Sequence, residues 1–408
     1  MTISDPTRIY RKIKQSGWIN TVSTGWESIY AETLLKKYFL QLLFLKNDRV
    51  IFREQLQDIA VNRCDIFREL EQNNTVPVRG KIPASHSFDT VKNRALSEPS
   101  IFEFSSGHIL SPCGLGITNN GEFITDSVGL PSEARPRAAT SLAKSASRNG
   151  FWWTQRQVLD PDQLDNKKGA HIDTACSLIP IWSNYYHWVI ECLPRLRSIE
   201  QYGKATGNDP TIMVPPNRPS WMDEWLSLLD IKESCRDLNE KIISVDKLII
   251  PTHPEPTYND CAWLRNQVFD RLDKNTEATR RIFISRSDAT DRRIANMEQI
   301  QSVLSDFRIK QYVLSELSIQ EQAQLFAEAE LVVSPHGAGL ANLIFSDDTT
   351  IIELFSSKKS TSYYRLSQIN DLNYYFLTSQ QDGVDIRADP DGLRHLLNNT
   401  STLEQSNH

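Results

Sequence analysis

The segment Val333-Ser-Pro-His-Gly-Ala-Gly-Leu-Ala-Asn342 places a histidine and two glycines just after an apolar run. Gly337 and Gly339 allow close backbone approach, and free amides at a helix start attract phosphate. His336 can donate a hydrogen bond to a phosphate oxygen, and a plain glycine turn with a helix-capping histidine would look the same, since one Gly-x-Gly is weak by itself. Ile284-Ser-Arg286 closes another strand-like run. An arginine there points into a crevice at the strand's carboxyl end, and its planar fork suits a pyrophosphate. Arg292 and Arg293 follow in the same loop, and at least one of them fits a solvated basic loop equally well. Positive charge gathered in an acidic chain favours an anionic ligand. Glu353, at the end of Thr350-Ile-Ile-Glu-Leu354, can take the two hydroxyls of a ribose or lie as an edge carboxylate in water. His187 and Glu191 are four residues apart and share a helix face. They suit a base with its orienting carboxylate, or a structural pair that fixes the helix. Two ligands without a third nearby argue against a metal there.

These residues need elements that bring them together. From about residue 171 the pattern alternates strands and helices, which implies parallel sheet. Strands are expected at Thr174–Trp182, Thr211–Val214, Lys247–Ile250, Arg281–Ser285, Lys310–Leu314, Leu331–Val333 and Thr350–Leu354. Helices are expected at Tyr185–Gly203, kinked by Pro194, and after the capping sequences Ser220–Asp223 and Ser318–Glu321. Further helices are expected near 260–273, over Asn296–Leu304, and from Asp389-Pro390 onward. The two sets divide near residue 275, so two facing Rossmann-like domains are expected. Ahead of them, residues 1–85 read as a helical leader, with a capping box at Thr24–Glu27, a helix carrying Trp26 to Leu42, and a second helix over Arg53–Gln72. Residues 73–95 read as a linker, 100–130 as a β-meander turning at Asn119-Asn-Gly121, and 131–150 as an exposed loop of small and basic residues. The domains are therefore 1–85, 86–275, 276–388 and a terminal helix with tail, 389–408.

Composition narrows the function classes. At 408 residues the chain exceeds what one core supports. With 45 Lys plus Arg against 51 Asp plus Glu, the charge is −6, so no nucleic-acid partner is expected. No apolar run approaches the ~20 residues of a membrane span. The start, Met-Thr-Ile-Ser-Asp-Pro, lacks the layout of a secretion signal, and the six cysteines are scattered without Cys-x-x-Cys. A cytoplasmic location follows as the expectation. An α/β-hydrolase lacks its Gly-x-Ser-x-Gly here, and a nicotinamide dehydrogenase lacks its Gly-x-Gly-x-x-Gly.

As a set, the motifs resemble glycosyltransferase family 61. They are Tyr186-His187-Trp188 with Glu191, Pro194 and Arg195; Ser285-Arg286; and Arg293 with Asn296. Leu317-Ser318 with Gln322, Phe326 and Ala329 follows, then His336-Gly-Ala-Gly-Leu340 with Asn342 and Phe345, and Ile352-Glu353-Leu354. The family often has Asn-Glu where this chain has Asn296-Met297-Glu298, which displaces Glu298. The resemblance implies an α/β fold of GT-B type, with acceptor domain 86–275 and donor domain 276–388. It implies an inverting transfer from a nucleotide-sugar donor to a hydroxyl of a glycan or polysaccharide, as in capsule biosynthesis, with no cofactor and no required metal. Donor binding falls on Arg286, Arg293, Ser334, His336, Gly337, Ala338, Gly339, Asn342 and Glu353, and His187 with Glu191 takes the catalytic role. A lipid-linked acceptor would add a peripheral place at the inner membrane face. The alternative reading is a non-catalytic protein of the same fold that binds a polysaccharide or assembly partner.

Overall fold

Short apolar runs bounded by Pro, Gly and Asn build two sheets, and each sheet belongs to its own unit of the chain. The structure is a computed structural model. It describes residues 34–45, 99–129, 133–158, 170–252, 256–271, 278–356 and 360–406, with short pieces between 49 and 64. The capping box at Thr24–Glu27 and the linker 73–95 lie outside the described residues.

The first unit runs to Pro256. Its strands are β1 (Val50–Ile51), β2 (Asn62–Cys64), β3 (Ile101–Phe104), β4 (Gly107–Leu110), β5 (Leu115–Thr118), β6 (Phe123–Ile124), β7 (Ala170–Ser177), β8 (Thr211–Val214), β9 (Cys235–Asp237) and β10 (Ile242–Pro251). They form one sheet of order β1-β6-β5-β4-β10-β7-β8-β9, with β3 also on β10 and β2 on β3. The meander is thus no separate body. The long β10 pairs antiparallel with β4 and β3 on one edge and parallel with β7 on the other. Within the span read as a helix over 53–72, Asn62–Cys64 is a strand on β3.

Three helices of this unit are α1 (Lys36–Leu45), α2 (Ala134–Asn149) and α3 (Phe151–Val158). The expected exposed loop 131–150 is corrected by α2, which is buried along most of its length. Its inward residues are Ala138, Ala139, Leu142, Ala143 and Ala146, packed on Phe39 and Leu43 of α1. Alanine is the best helix former but gives little apolar contrast, so the periodic signal is faint. The helix expected over Tyr185–Gly203 is also modified. His187–Cys192 is a π-turn, in which the Leu193 amide donates to the Trp188 carbonyl at 2.9 Å, five residues back. Pro194 has no amide to continue an α ladder, and the wider turn absorbs the break. Helix α4 (Arg195–Thr206) follows and stops at Gly207 in the left-handed region. Helix α5 (Ser220–Leu228) lies between β8 and β9.

The second unit opens at Thr257, ahead of the division expected near 275. Helix α6 (Tyr258–Phe269) packs there: Arg265 donates to the Ile344 carbonyl at 2.6 Å, and Phe269 meets Phe345 at 5.9 Å. A helical pattern marks the element but not the sheet on which it rests. Strands β11 (Arg280–Ser285), β12 (Lys310–Val313), β13 (Ala329–Pro335), β14 (Thr350–Phe355) and β15 (Asn373–Thr378) form an all-parallel sheet of order β12-β11-β13-β14-β15. Helices α7 (Met297–Asp306), α8 (Ile319–Ala327), α9 (Ser362–Ile369) and α10 (Pro390–Ser406) accompany it. The Ser318–Glu321 capping box forms as its spacing predicts. The sequence pattern assigns nothing between 356 and 388, where the structure holds α9, β15 and a hairpin of β16 (Gln380–Asp382) and β17 (Asp385–Arg387).

The fold is mixed α/β, and the second unit has the doubly wound order 2-1-3-4-5. In that order the connections reverse direction between β11 and β13, and ligands bind at the carboxyl ends flanking such a switch point. Those ends carry Ser285-Arg286 and Pro335-His336.

Candidate functional site at the carboxyl edge of the second sheet

Strand β13 delivers His336 to the edge, and its amide still donates to the Leu354 carbonyl at 3.0 Å, so the backbone there is held by β14. The ring stacks on Phe355 with centroids 5.3 Å apart and lies 5.3 Å from Tyr363. Nδ1 is 2.5 Å from Glu353 Oε1. The side chain of Glu353 is wholly buried, and its Oε2 accepts from the Tyr374 hydroxyl at 2.5 Å. Burial pushes the Glu353 carboxyl above its usual range, against the opposing pull of His336, Tyr374 and Arg292. Burial and Glu353 together push the Tyr374 phenol up. With the carboxylate ionised, Nδ1–H donates to it and Nε2 is left for a ligand.

The ribose contact expected of Glu353 falls on a carboxylate that is wholly buried here, with one oxygen beside His336 and the other accepting from Tyr374. The parallel register pairs Ser334 with Glu353 and carries Glu353 beneath the turn, a relation two separate strands cannot disclose.

Arg286 lies against Gly337. A Cβ at 337 would stand 2.1 Å from Arg286 Nη1, so only glycine leaves room for the guanidinium in this place. Asp291 holds the arginine from behind, accepting at Oδ1 from Nη2 at 3.2 Å and at its carbonyl at 3.1 Å. Burial and the like charge of Arg292 lower the guanidinium from its ordinary value, and Asp291 opposes them. Beside it is a cleft of about 410 Å³, lined by Ser285, Arg286, Ser287, Arg293, Gln311 and Asp385 among others. The Arg293 amide donates to Asp385 Oδ1 at 3.0 Å, and its side chain reaches Asp385 Oδ2 only at 3.8 Å.

The remaining turn residues have partners within the second unit. Ala338 begins a 3-10 turn, Ala338–Phe345, where an α-helix was expected. A Cβ on Gly339 would meet Leu314 Cδ1 at 2.5 Å, so this glycine serves packing. Ser334 donates to the Pro335 carbonyl at 2.9 Å, and buried Asn342 donates to Gln322 at 2.9 Å. Asn296 caps neither as Asn-Glu nor toward the cleft; it bonds the backbone of Ala388 in both directions.

In the first unit, His187 Nδ1 is 3.0 Å from Glu191 Oε1, an ion-pair approach whose alignment falls short of a hydrogen bond. Glu191 is gripped by Arg137 of α2, at 2.9 Å and 3.3 Å. Burial alone would raise the Glu191 carboxyl, yet His187 and Arg137 bring it down to about 2. Arg137 also lies over the Trp182 ring at 5.0 Å, and Trp182 is 5.1 Å from His187.

Sequence reasoning missed Arg137, Asp291, Tyr374, Gln311 and Asp385. Asp291 sits five residues past Arg286 in a charged loop and was the one open to detection by spacing. Among the described residues, His171, Asp173 and Asp246 place ligand atoms within 4.8 Å of one another, but all three are exposed and lie on the other unit's sheet.

Residues 185–352 match the family model described as Glycosyltransferase 61. A search of curated proteins finds no match for the chain. The matched span includes the His187–Glu191 turn and the edge formed by Arg286 and His336. The match marks residues 185–352 as a glycosyltransferase family 61 domain, which indicates a glycosyltransferase enzyme.

Proposed function

We propose that this enzyme is an inverting glycosyltransferase of GT-B type, moving a sugar from a nucleotide-sugar donor to a hydroxyl of a glycan or polysaccharide. The observation that carries the reading is Arg286, which lines an open cleft and lies against Gly337, next in sequence to His336 with its Glu353 support, at one switch point. Arg286 offers N–H donors where a leaving diphosphate gathers charge, and preorganised donors of that kind act on the transition state; His336 presents its Nε2 from the neighbouring strand end. Arg293 adds a second guanidinium at the cleft. Ser334, Ala338, Gly339 and Asn342 support the turn, and Glu353 supports His336. These groups are proposed to neutralise the diphosphate without a required metal.

In this reading the acceptor oxygen bonds to the sugar's anomeric carbon from the face opposite the phosphate. The bond from that carbon to the phosphate oxygen breaks, and the nucleoside diphosphate leaves with the electron pair. His187, held by Glu191, takes the acceptor's proton. The acceptor is a polysaccharide of the capsular kind, free or lipid-linked. A cytoplasmic site of action is supported by Cys113, Cys176, Cys192, Cys235 and Cys261, which are free thiols.

Calorimetry with UDP, GDP, CMP and dTDP in EDTA tests the donor site. One nucleotide should bind tightly to wild type and more weakly to His336→Ala. Binding that ignores the substitution would overturn the site, and binding only on adding manganese would overturn the metal-free reading. His187→Ala should cut turnover by about a hundredfold or more, with the nucleotide affinity unchanged.

A further inference from the structure

Exposed aromatic and apolar side chains are concentrated on one part of the first unit. The largest exposed apolar residues among the described ones are Leu34, Tyr38, Phe44, Trp152 and Tyr258, and the first four lie on or beside α1 and α3. Leu34, Tyr38 and Phe44 are exposed just before and along α1, while Leu35, Phe39 and Leu43 are buried on the side that meets α2. Trp152 is 79 % exposed. It joins this surface through Phe151, which touches both Trp152 and Tyr38, and Gln155 of α3 bonds the Tyr38 hydroxyl.

Charge identifies the occupant. Helices α1, α2 and α3 contain no aspartate or glutamate, although the whole chain is net −6. Exposed Lys37 neighbours Tyr38, exposed Arg156 is one turn beyond Trp152, and the Arg135 guanidinium lies 4.9 Å from the Phe44 ring. Glu133, just before α2, is already paired with Arg137. A protein partner would find aromatics here, but a set of cations among tryptophan, tyrosine, phenylalanine and leucine, free of acids, is the composition of a helix face lying in an anionic lipid interface. A globally acidic chain would be repelled from such a surface except through a local patch of this kind.

We propose that this face docks reversibly on anionic lipid membranes, with Trp152, Tyr38, Phe44 and Leu34 entering the headgroup region and Lys37 and Arg156 meeting the lipid phosphates. No helix among the described residues is long and apolar enough to cross a membrane, so the contact is peripheral. The inference is separate from the donor site.

The test is sedimentation of the full chain with phosphatidylcholine vesicles, with and without phosphatidylglycerol as the anionic lipid. Wild type should pellet with the anionic vesicles and be released by salt. Trp152→Ser and the pair Lys37→Glu with Arg156→Glu should each lower partition about tenfold or more while leaving nucleotide binding intact. Failure to pellet with anionic vesicles, or pelleting that neither set of substitutions changes, overturns the proposal. Size-exclusion of the same proteins covers the other occupant: a dimer that Trp152→Ser converts to monomer would make this face a self-association surface and also overturn it. A loss of nucleotide binding in all forms would instead fault the donor-site reading and leave the vesicle result standing.

Discussion

At the scale of single residues, the two histidines each depend on a buried carboxylate, but in different ways. Glu353 meets His336 with one oxygen and Tyr374 with the other. Replacing it with glutamine keeps the shape and removes the anion that orients the ring. Glu353→Gln should therefore weaken nucleotide binding in the same direction as His336→Ala, by about tenfold, since hydrogen bonds to charged groups are worth ~1.5–3 kcal/mol. Calorimetry checks it. Glu191 instead sits between Arg137 and His187. Arg137→Met leaves that carboxylate buried with half its support and should cost about 3–5 kcal/mol in chemical denaturation. The pH dependence has a definite sign. The Glu191 carboxyl falls from 4.5 to about 2 on folding, so its contribution is present above the higher value and disappears as pH falls through the lower. The stability gap between wild type and Glu191→Gln should narrow from about pH 4.5 downward, as measured by melting across that range.

At the scale of elements, the turn after β13 is shaped by what its glycines exclude. Gly337 has an extended backbone that any residue can adopt, so its constraint is the guanidinium and not strain. Gly337→Ala should fold with little change in melting temperature yet displace Arg286 and weaken nucleotide binding. Gly339→Ala should do the reverse, costing about 1–3 kcal/mol of stability through Leu314 with less effect on affinity. Thermal melts paired with calorimetry on both variants separate the two. The π-turn at His187–Cys192 is the other element-scale device. It holds both His187 and Glu191, and Glu191 also meets Arg137 of α2. Such turns are rare and concentrate at functional sites, which agrees with the place of this one inside the family match.

At the scale of the whole molecule, each unit has a core of its own. Leu115, Leu142 and Phe39 belong to the first unit, and Phe283, Val333, Ile352 and Leu393 to the second. Denaturation should therefore show two transitions, and a saturating nucleotide should raise the second unit's alone. At a ligand concentration about 100 times Kd the shift is about 2.7 kcal/mol. Urea titration followed by circular dichroism, with and without nucleotide, measures it. A single transition, or a shift in the other one, contradicts this picture.

Much of this was legible in the linear pattern. Parallel strands ending at Ser285 and Pro335 follow from apolar runs and the residues that stop them, because local burial and turn chemistry are properties of neighbouring residues. The capping box of α8 and the proline start of α10 are equally local. The motifs around His187, Arg286 and His336 and the resemblance they carry were also present in the chain itself. Other features exist only once the chain is folded. Buried α2, rich in alanine, looked like a loop until Phe39 and Leu43 were seen to cover it. Glu353 gains its partners only where the register of β13, β14 and β15 brings His336 and Tyr374 onto its two oxygens. Arg137 reached Glu191 across 54 positions of chain. Sequence spacing fixes which residues share a strand or a helix face. Which carboxylate is buried, and whose charge compensates it, depends on contacts between distant segments, and only the tertiary structure decides those.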